Sequence, residues 1–161
     1  MVFRKGGYLG KFEKWQFKGI NIEVINSYKC LGFTLSTKLS INTSLSEFAG
    51  RAKRKVIDIL KTVYNLGKMD MYVFFKLFDA QVKPMLLYAA EIWGLTRYKK
   101  VESVHLFACK RFLRVDKKTP NTLVCGELGR YPLYIDSTIR SVHYWLKLQN
   151  MSLNRIPKQA Y

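Results

Sequence analysis

Between residues 45 and 63 the apolar side chains Leu45, Phe48, Ala49, Ala52, Val56, Ile59, Leu60 and Val63 recur at helical spacing, and this stripe most constrains what the chain can become. A helix with one such face has to bury it against other elements. Ser44 with Glu47 three positions on reads as a capping box that opens the helix, and the stripe carries it to about Asn65. The opposite face holds Arg51, Arg54 and Lys61, with Lys55 at its edge.

The helical period continues. Asp70 is placed to cap a second helix over 71–93, which Pro84 must kink or split because proline lacks a donor and clashes with the preceding turn. That stretch is the most apolar of the chain, yet Lys76, Asp79, Lys83 and Glu91 lie within it. Charges at a helix centre cost about 2.5–3.5 kcal/mol each on insertion scales, so it reads as a helix apolar nearly all round at the centre of a bundle, not as a membrane span. A third helix over 100–115 would bury Val101, Val104, Ala108, Phe112 and Val115 and expose Lys110, Arg111 and Arg114. Thr119 as cap, Pro120 at the first position and Gly129 as terminator bracket a short fourth helix. A last helix from Pro132 would bury Ile135, Ile139, Val142 and Leu146, and the chain frays after Met151.

Before residue 40 the pattern is different. Glycines punctuate short runs of β type: Val2-Phe3, Trp15 to Phe17, Ile20 to Ile25 and Tyr28 to Leu35. Ile20, Ile22 and Val24 alternate with polar residues, which predicts a strand with one buried face, and Asn26-Ser27 would connect it to the next strand. The expected class is therefore α+β, mainly α: a short antiparallel β remnant over 1–38, then a helical bundle over 39–161.

The charge narrows the partners. Lys and Arg number 28 against 11 Asp and Glu, a net +17, although 48% of the 161 residues are hydrophobic, too many for a disordered basic tail. Self-repulsion at this charge asks for a polyanion, most commonly nucleic acid. Residues 1–10 lack the apolar region and cleavage site of a secretory signal. Cys30, Cys109 and Cys125 are three and far apart, which is no disulfide framework. Both observations point to reduced thiols in the cytoplasm or nucleus.

Catalytic motifs are missing from the sequence. It has no Walker loop, dinucleotide fingerprint, HExxH word or nucleophile turn, and its carboxylates are scattered singly rather than paired for two-metal chemistry. No cofactor and no small-molecule substrate is expected. His105 and Cys109, at i and i+4, could face a zinc ion with Cys125 or His143, but the spacing matches no common zinc module, and a half-buried histidine beside a core cysteine is the ordinary explanation. Binding remains. The helical faces bearing Arg51, Arg54, Lys55 and Lys61, and then Lys110, Arg111, Arg114, Lys117 and Lys118, can track phosphates as positioning contacts. Phe74, Phe75, Phe78 and Trp93 read as core, whereas Tyr8, Trp15 and Tyr28 are placed for sugar or base contacts.

Several words occur in a familiar order: Met1-Val2-Phe3, Tyr28-Lys29-Cys30-Leu31-Gly32-Phe33, Leu86-Leu87-Tyr88 through Glu91-Ile92-Trp93-Gly94, and Thr119-Pro120-Asn121 with Gly126-Glu127-Leu128-Gly129-Arg130 and Pro132-Leu133. Over nearly its whole length the chain resembles the C-terminal part of reverse transcriptases of LINE-type (non-LTR) retrotransposons. The resemblance implies that residues 1–3 are the tail of the last palm strand, that 28–33 form the primer-grip hairpin with Tyr28, Leu31 and Gly32 at the nucleic acid, and that the helices from Ser44 onward are the thumb and its extension. The family's polymerase metals sit on aspartates of an earlier Ala-Asp-Asp word, which this sequence lacks, and Cys30 stands where the family often has an aromatic residue. The implied partners are an RNA/DNA primer-template duplex and the remainder of a reverse transcriptase palm, with no polymerase activity in the isolated chain. The alternative is an independent basic helical protein that binds RNA or a protein partner without catalysis. Membrane-surface binding fits less well, because the basic helices bury their apolar sides.

Overall fold

The computed structural model describes residues 14–38, 40–65, 67 and 70–160, so the expected Val2-Phe3 strand, the palm-strand tail and Tyr8 lie outside the described residues. The chain divides into two compact units, Met1–Ser46 and Glu47–Tyr161. Two short antiparallel strand pairs precede a series of helices, so the class is α+β, mainly α.

In the first unit, β1 (Gln16–Phe17) pairs with β2 (Ile20–Asn21), and β3 (Ser27–Cys30) with β4 (Phe33–Ser36). Both hairpins turn through two residues of positive φ, Lys18-Gly19 and Leu31-Gly32. This left-handed pair matches the twist of the strands it joins, and Gly32 (φ 80°) supplies its second half without a Cβ penalty. The turn expected at Asn26-Ser27 is not there. Ser27 opens β3, and the Asn26 carbonyl accepts from the Thr37 N–H at 3.0 Å, so this dipeptide is the base of the hairpin. The half-buried strand expected from Ile20, Ile22 and Val24 is also corrected: β2 ends at Asn21 and Ile20 is 72% exposed. Beyond Asn21 the Ile22 N–H still donates to the Trp15 carbonyl at 2.7 Å, but with β1 only two residues long the alternation gains no buried face, and Ile22 is exposed.

Helix α1 (Asn42–Asn65) starts two residues before the proposed cap. The Ser44 hydroxyl is spent elsewhere: it accepts from Thr34 N–H at 2.8 Å and donates to Thr34 C=O at 2.9 Å, tying β4 to the first turn of α1. The stripe is as its spacing predicts, with Leu45, Phe48, Ala52, Val56, Ile59 and Val63 buried.

Asp70 caps α2 (Met71–Leu77), its Oδ1 accepting from Val73 N–H at 3.0 Å. A π-helical turn (Phe78–Val82) and α3 (Lys83–Leu86) follow, with Pro84 in the first turn of α3, where its missing donor costs little. A left-handed Ala89 (φ 55°) then separates α4 (Ala90–Trp93). The stretch 71–93 is thus broken rather than one helix, and it is not buried all round: Phe74, Phe75, Phe78, Leu86, Leu87 and Trp93 are buried, whereas Tyr72 and Ile92 are exposed. Among the described residues no helix is long and apolar enough to cross a membrane.

Helix α5 (Lys99–Leu113) buries Val101, Val104, His105, Ala108 and Cys109. Val115 is exposed, because Arg114 turns left-handed (φ 56°) and ends the helix before it. Aromatic rings join α5 to α2: Phe112 stacks on Phe74 at 5.1 Å, and Phe74 meets Phe75 edge-on at 5.0 Å. Helix α6 (Asn121–Glu127) has Pro120 rather than Thr119 at its cap and ends at a left-handed Gly129 (φ 59°). Helix α7 (Leu133–Gln149) is likewise capped by Pro132, and α8 (Ile156–Gln159) is a single turn.

The expected buried face of α7 is the main error of pattern reading. Leu133, Ser137, Ser141 and Leu148 face inward, while Ile139 (47%), Val142, Trp145 and Leu146 are exposed. The cause is the close contact with α4 and its buried C-cap, Gly94. Ser137 and Thr138 hydroxyls share their protons between the Tyr134 carbonyl of their own helix, at 2.9 and 2.8 Å, and the Gly94 carbonyl, at 3.1 and 3.2 Å, and Ser141 donates to the Ala90 carbonyl at 2.8 Å, beside the Gly94 N–H that the same carbonyl accepts. The backbones approach so closely that a Cβ on Gly94 would overlap the Ser137 carbonyl. A second long-range tie is a two-pronged ion pair: Arg130 nitrogens donate to both Asp79 oxygens at 2.6 and 2.8 Å, with the guanidinium over the Phe75 ring at 4.8 Å.

Two predictions follow from these ties. Gly94→Ala must push α7 off α4 and should cost about 2 kcal/mol or more in urea unfolding, whereas Ser137→Ala, which leaves the Thr138 bond, should cost about 1 kcal/mol. A Gly94→Ala protein as stable as the parent would mean that the two helices do not meet at this distance.

The second concerns acid. Burial pushes the Asp79 carboxyl up, but the Arg130 bonds and charge, with smaller help from Lys83 and His105, outweigh it and hold the carboxyl below its ordinary range. A lowered folded pKa gives stability that is present above about pH 4 and disappears as pH falls through the folded value. Asp79→Asn should therefore destabilise by about 1 kcal/mol at pH 7, a figure kept small because Asp79 is more than one-third exposed, and the gap should close toward pH 2. A gap independent of pH would remove the ion pair as its cause.

Candidate nucleic-acid interface

The two basic helices expected from the sequence lie side by side in the second unit, joined by cations resting on rings. Lys53 Nζ of α1 lies 4.8 Å from the centre of the Phe107 ring of α5, and Arg111 lies 5.4 Å from the same ring. At the C-cap of α5, Arg114 lies over Tyr64 of α1 at 5.1 Å. Each contact holds a guanidinium or ammonium near a π face while leaving it at the surface.

Helical rotation sorts the α1 cations into three sets. Lys53 and Tyr64 face α5; Arg54 and Lys61 point outward beside them, both exposed. Arg51 and Lys55 lie on the far flank, with Arg51 stacked 5.2 Å from the Phe48 ring. The four α1 residues singled out from the sequence therefore do not share one line: Arg54 and Lys61 join the α5 cations, while Arg51 and Lys55 look away.

On α5 the gathering is tighter. Lys110 Nζ donates to the Lys117 carbonyl at 2.7 Å, and Asp116 accepts from the Lys118 N–H at 2.7 Å, folding the segment after the helix back onto its last turn. Lys110, Arg111, Arg114, Lys117 and Lys118 are thereby brought together at the helix C-terminus, where cations also offset the negative end of the helix dipole. Sequence reasoning missed Lys53 and its ring partner Phe107, and Lys99 and Lys100 on the same exposed edge of α5. Phe107 breaks the apolar period of α5, and that was the available signal.

Tyr28, Leu31 and Gly32 belong to the first unit. Leu31 sits at the hairpin tip with positive φ and is 86% exposed, an unfavourable conformation for a bulky residue. Tyr28, on β3, and Trp15 are also exposed.

The carboxylates that the structure fixes are occupied in structural pairs. Asp79 is held by Arg130 and Asp136 by Lys83 at 2.8 Å; Glu102 contacts His105 Nδ1 at 3.3 Å and accepts from the Leu133 N–H at 3.0 Å. His105 is fully buried against Phe78, whose ring lies 5.6 Å away. Burial pushes the Cys109 thiol up to about 12 and raises Cys125 as well, so neither offers a thiolate at neutral pH. Among the described residues no three His, Cys, Asp or Glu side chains are grouped to hold a metal ion. The arrangement is a cationic strip supported by rings, suited to holding phosphates.

Comparison with known proteins assigns no family: no family model matches the chain, no curated protein matches it, and no solved structure does.

Proposed function

We propose that the chain binds a nucleic-acid duplex through its backbone and corresponds to the primer-grip and thumb portion of a LINE-type reverse transcriptase, without the polymerase centre. The observation that carries this reading is the merging of two basic helices into one strip, with Phe107 between Lys53 and Arg111. A scattered excess of charge would keep a protein dispersed; cations aligned on adjacent helices match the spaced charges of a phosphate backbone. The hairpin turning at Leu31-Gly32 agrees with the primer-grip role, and its apolar tip suits contact with a strand end. The partners of this reading are an RNA/DNA primer-template and the remainder of the palm.

The outward stripe of α7, Ile139, Val142 and Leu146 beside Trp145, favours a second reading, in which the chain is an independent helical protein-interaction module.

The strip makes the salt test specific to a face. Plotted as log affinity against log salt for a primer-template duplex, the parent should give a straight line of negative slope. Replacing Arg54, Lys61, Arg111 and Arg114 by Gln should flatten it by up to about 0.9 per residue, while Arg51→Gln with Lys55→Gln should change it far less. Equal effects from the two sets would mean that no face is selected, and an unchanged slope in the fourfold variant would make the strip a solvated surface.

Activity gives another test. With no carboxylate cluster among the described residues to stabilise a transferring phosphoryl group, the purified chain should extend no primer with magnesium or manganese. Incorporation that survives removal of contaminating polymerases would overturn the reading.

A further inference from the structure

A cavity of about 570 Å³ opens beside the N-terminus of α5, between the end of α4 and the starts of α6 and α7. Its volume falls within the roughly 300–1,000 Å³ of small-ligand sites. The indole of Trp93 forms one wall, fixed by its Nε1–H donating to the Tyr88 carbonyl at 3.0 Å and by Tyr98 edge-on at 5.7 Å. Val101 and Leu106 close the apolar depth.

At the mouth the chemistry changes. The Arg97 guanidinium lies over Tyr134, 3.6 Å from the ring centre, and both residues line the cavity. Lys99 stands beside it on the first turn of α5. The single acid of the lining, Glu102, has one oxygen at His105 and the other at the Leu133 N–H, and it stands against two cations, Arg97 and Lys99. A preformed aromatic wall, a planar cation and a net positive lining suit a flat ring that carries a phosphate.

Lys99 is also where the cationic edge of α5 ends. From Lys118 and Arg114 that edge runs back along the helix, about 21 Å at 1.5 Å per residue, to the cavity mouth. We propose that the cavity receives the unpaired terminal nucleobase of a strand whose backbone is held along α5, with its phosphate on Arg97 and Lys99. This rests on the nucleic-acid reading given above, and adds to it a pocket for a base outside the duplex. Stacking carries the contact, so the site takes any of the bases and distinguishes paired from unpaired ends.

The test compares a blunt duplex with the same duplex carrying a single-nucleotide overhang of 2-aminopurine, each titrated with the full chain at low salt. The overhang should bind about tenfold tighter, and its fluorescence should be quenched on binding. Thr122→Trp, which fills the cavity from an exposed rim position on α6, should abolish both the preference and the quenching while leaving the blunt duplex bound as before. Arg97→Gln should weaken the preference in a protein whose wall is otherwise intact. Equal affinity for blunt and overhanging duplexes, as expected if the cavity takes an apolar side chain of a protein partner, overturns the proposal and leaves duplex binding standing. A preference that persists in Thr122→Trp places the base elsewhere and overturns it too. Failure to bind either duplex overturns the nucleic-acid reading and the proposal together.

Discussion

The second unit depends on the contact of Gly94 with Ser137. The Gly94 carbonyl at the C-cap of α4 is buried, and a buried carbonyl without a donor costs about 1–3 kcal/mol. Hydroxyls of α7 supply the donors at Gly94 and Ala90, which is possible only because residue 94 has no side chain to hold the backbones apart. Once α7 commits Ser137 and Ser141 to this purpose, its rotation is fixed. The consequence is that Ile139, Val142 and Leu146 must face outward.

The same rotation frames the functional surface. It sets Tyr134 where Arg97 can lie upon it, and brings the start of α7 against Glu102, whose carboxylate is drawn inward by the Leu133 N–H and His105. On the other side of α5, ring contacts to α1 align cations that would otherwise repel one another. Their mutual repulsion is eased where Lys53, Arg111 and Arg114 sit on π faces and Lys110 on the Lys117 carbonyl. Such a surface is suited to phosphates, and the Asp79 carboxylate serves the fold through Arg130.

Much of this was legible beforehand where local physics decides. The stripe of α1, the Asp70 cap and the Gly129 terminator each rest on a periodicity or on one residue's backbone chemistry, and all are found; Pro84 instead follows a π-helical turn and lies within α3, and the helical run stops only after Leu86. Ser44 was misread because a serine before an apolar run satisfies the capping pattern whether its hydroxyl bonds its own helix or, as here, Thr34 on a strand. The hairpin turn was misplaced because Leu31-Gly32 lacks the Asn or Asp that usually marks such a turn. The basic residues were found by their type, but their division between two flanks of α1 was not.

By itself the sequence determined the class of fold, the helix carrying the stripe, the excess of positive charge and the lack of a catalytic motif, because these are properties of composition and of spacing along one chain. The tertiary structure decided which face of α7 is buried, which cations line up, and that a cavity with an aromatic wall opens where their line ends. The physical reason is that each of these depends on a partner distant in sequence: a carbonyl at Gly94 seeking a donor, a ring at Phe107 receiving two cations, and an arginine at position 97 finding the face of Tyr134.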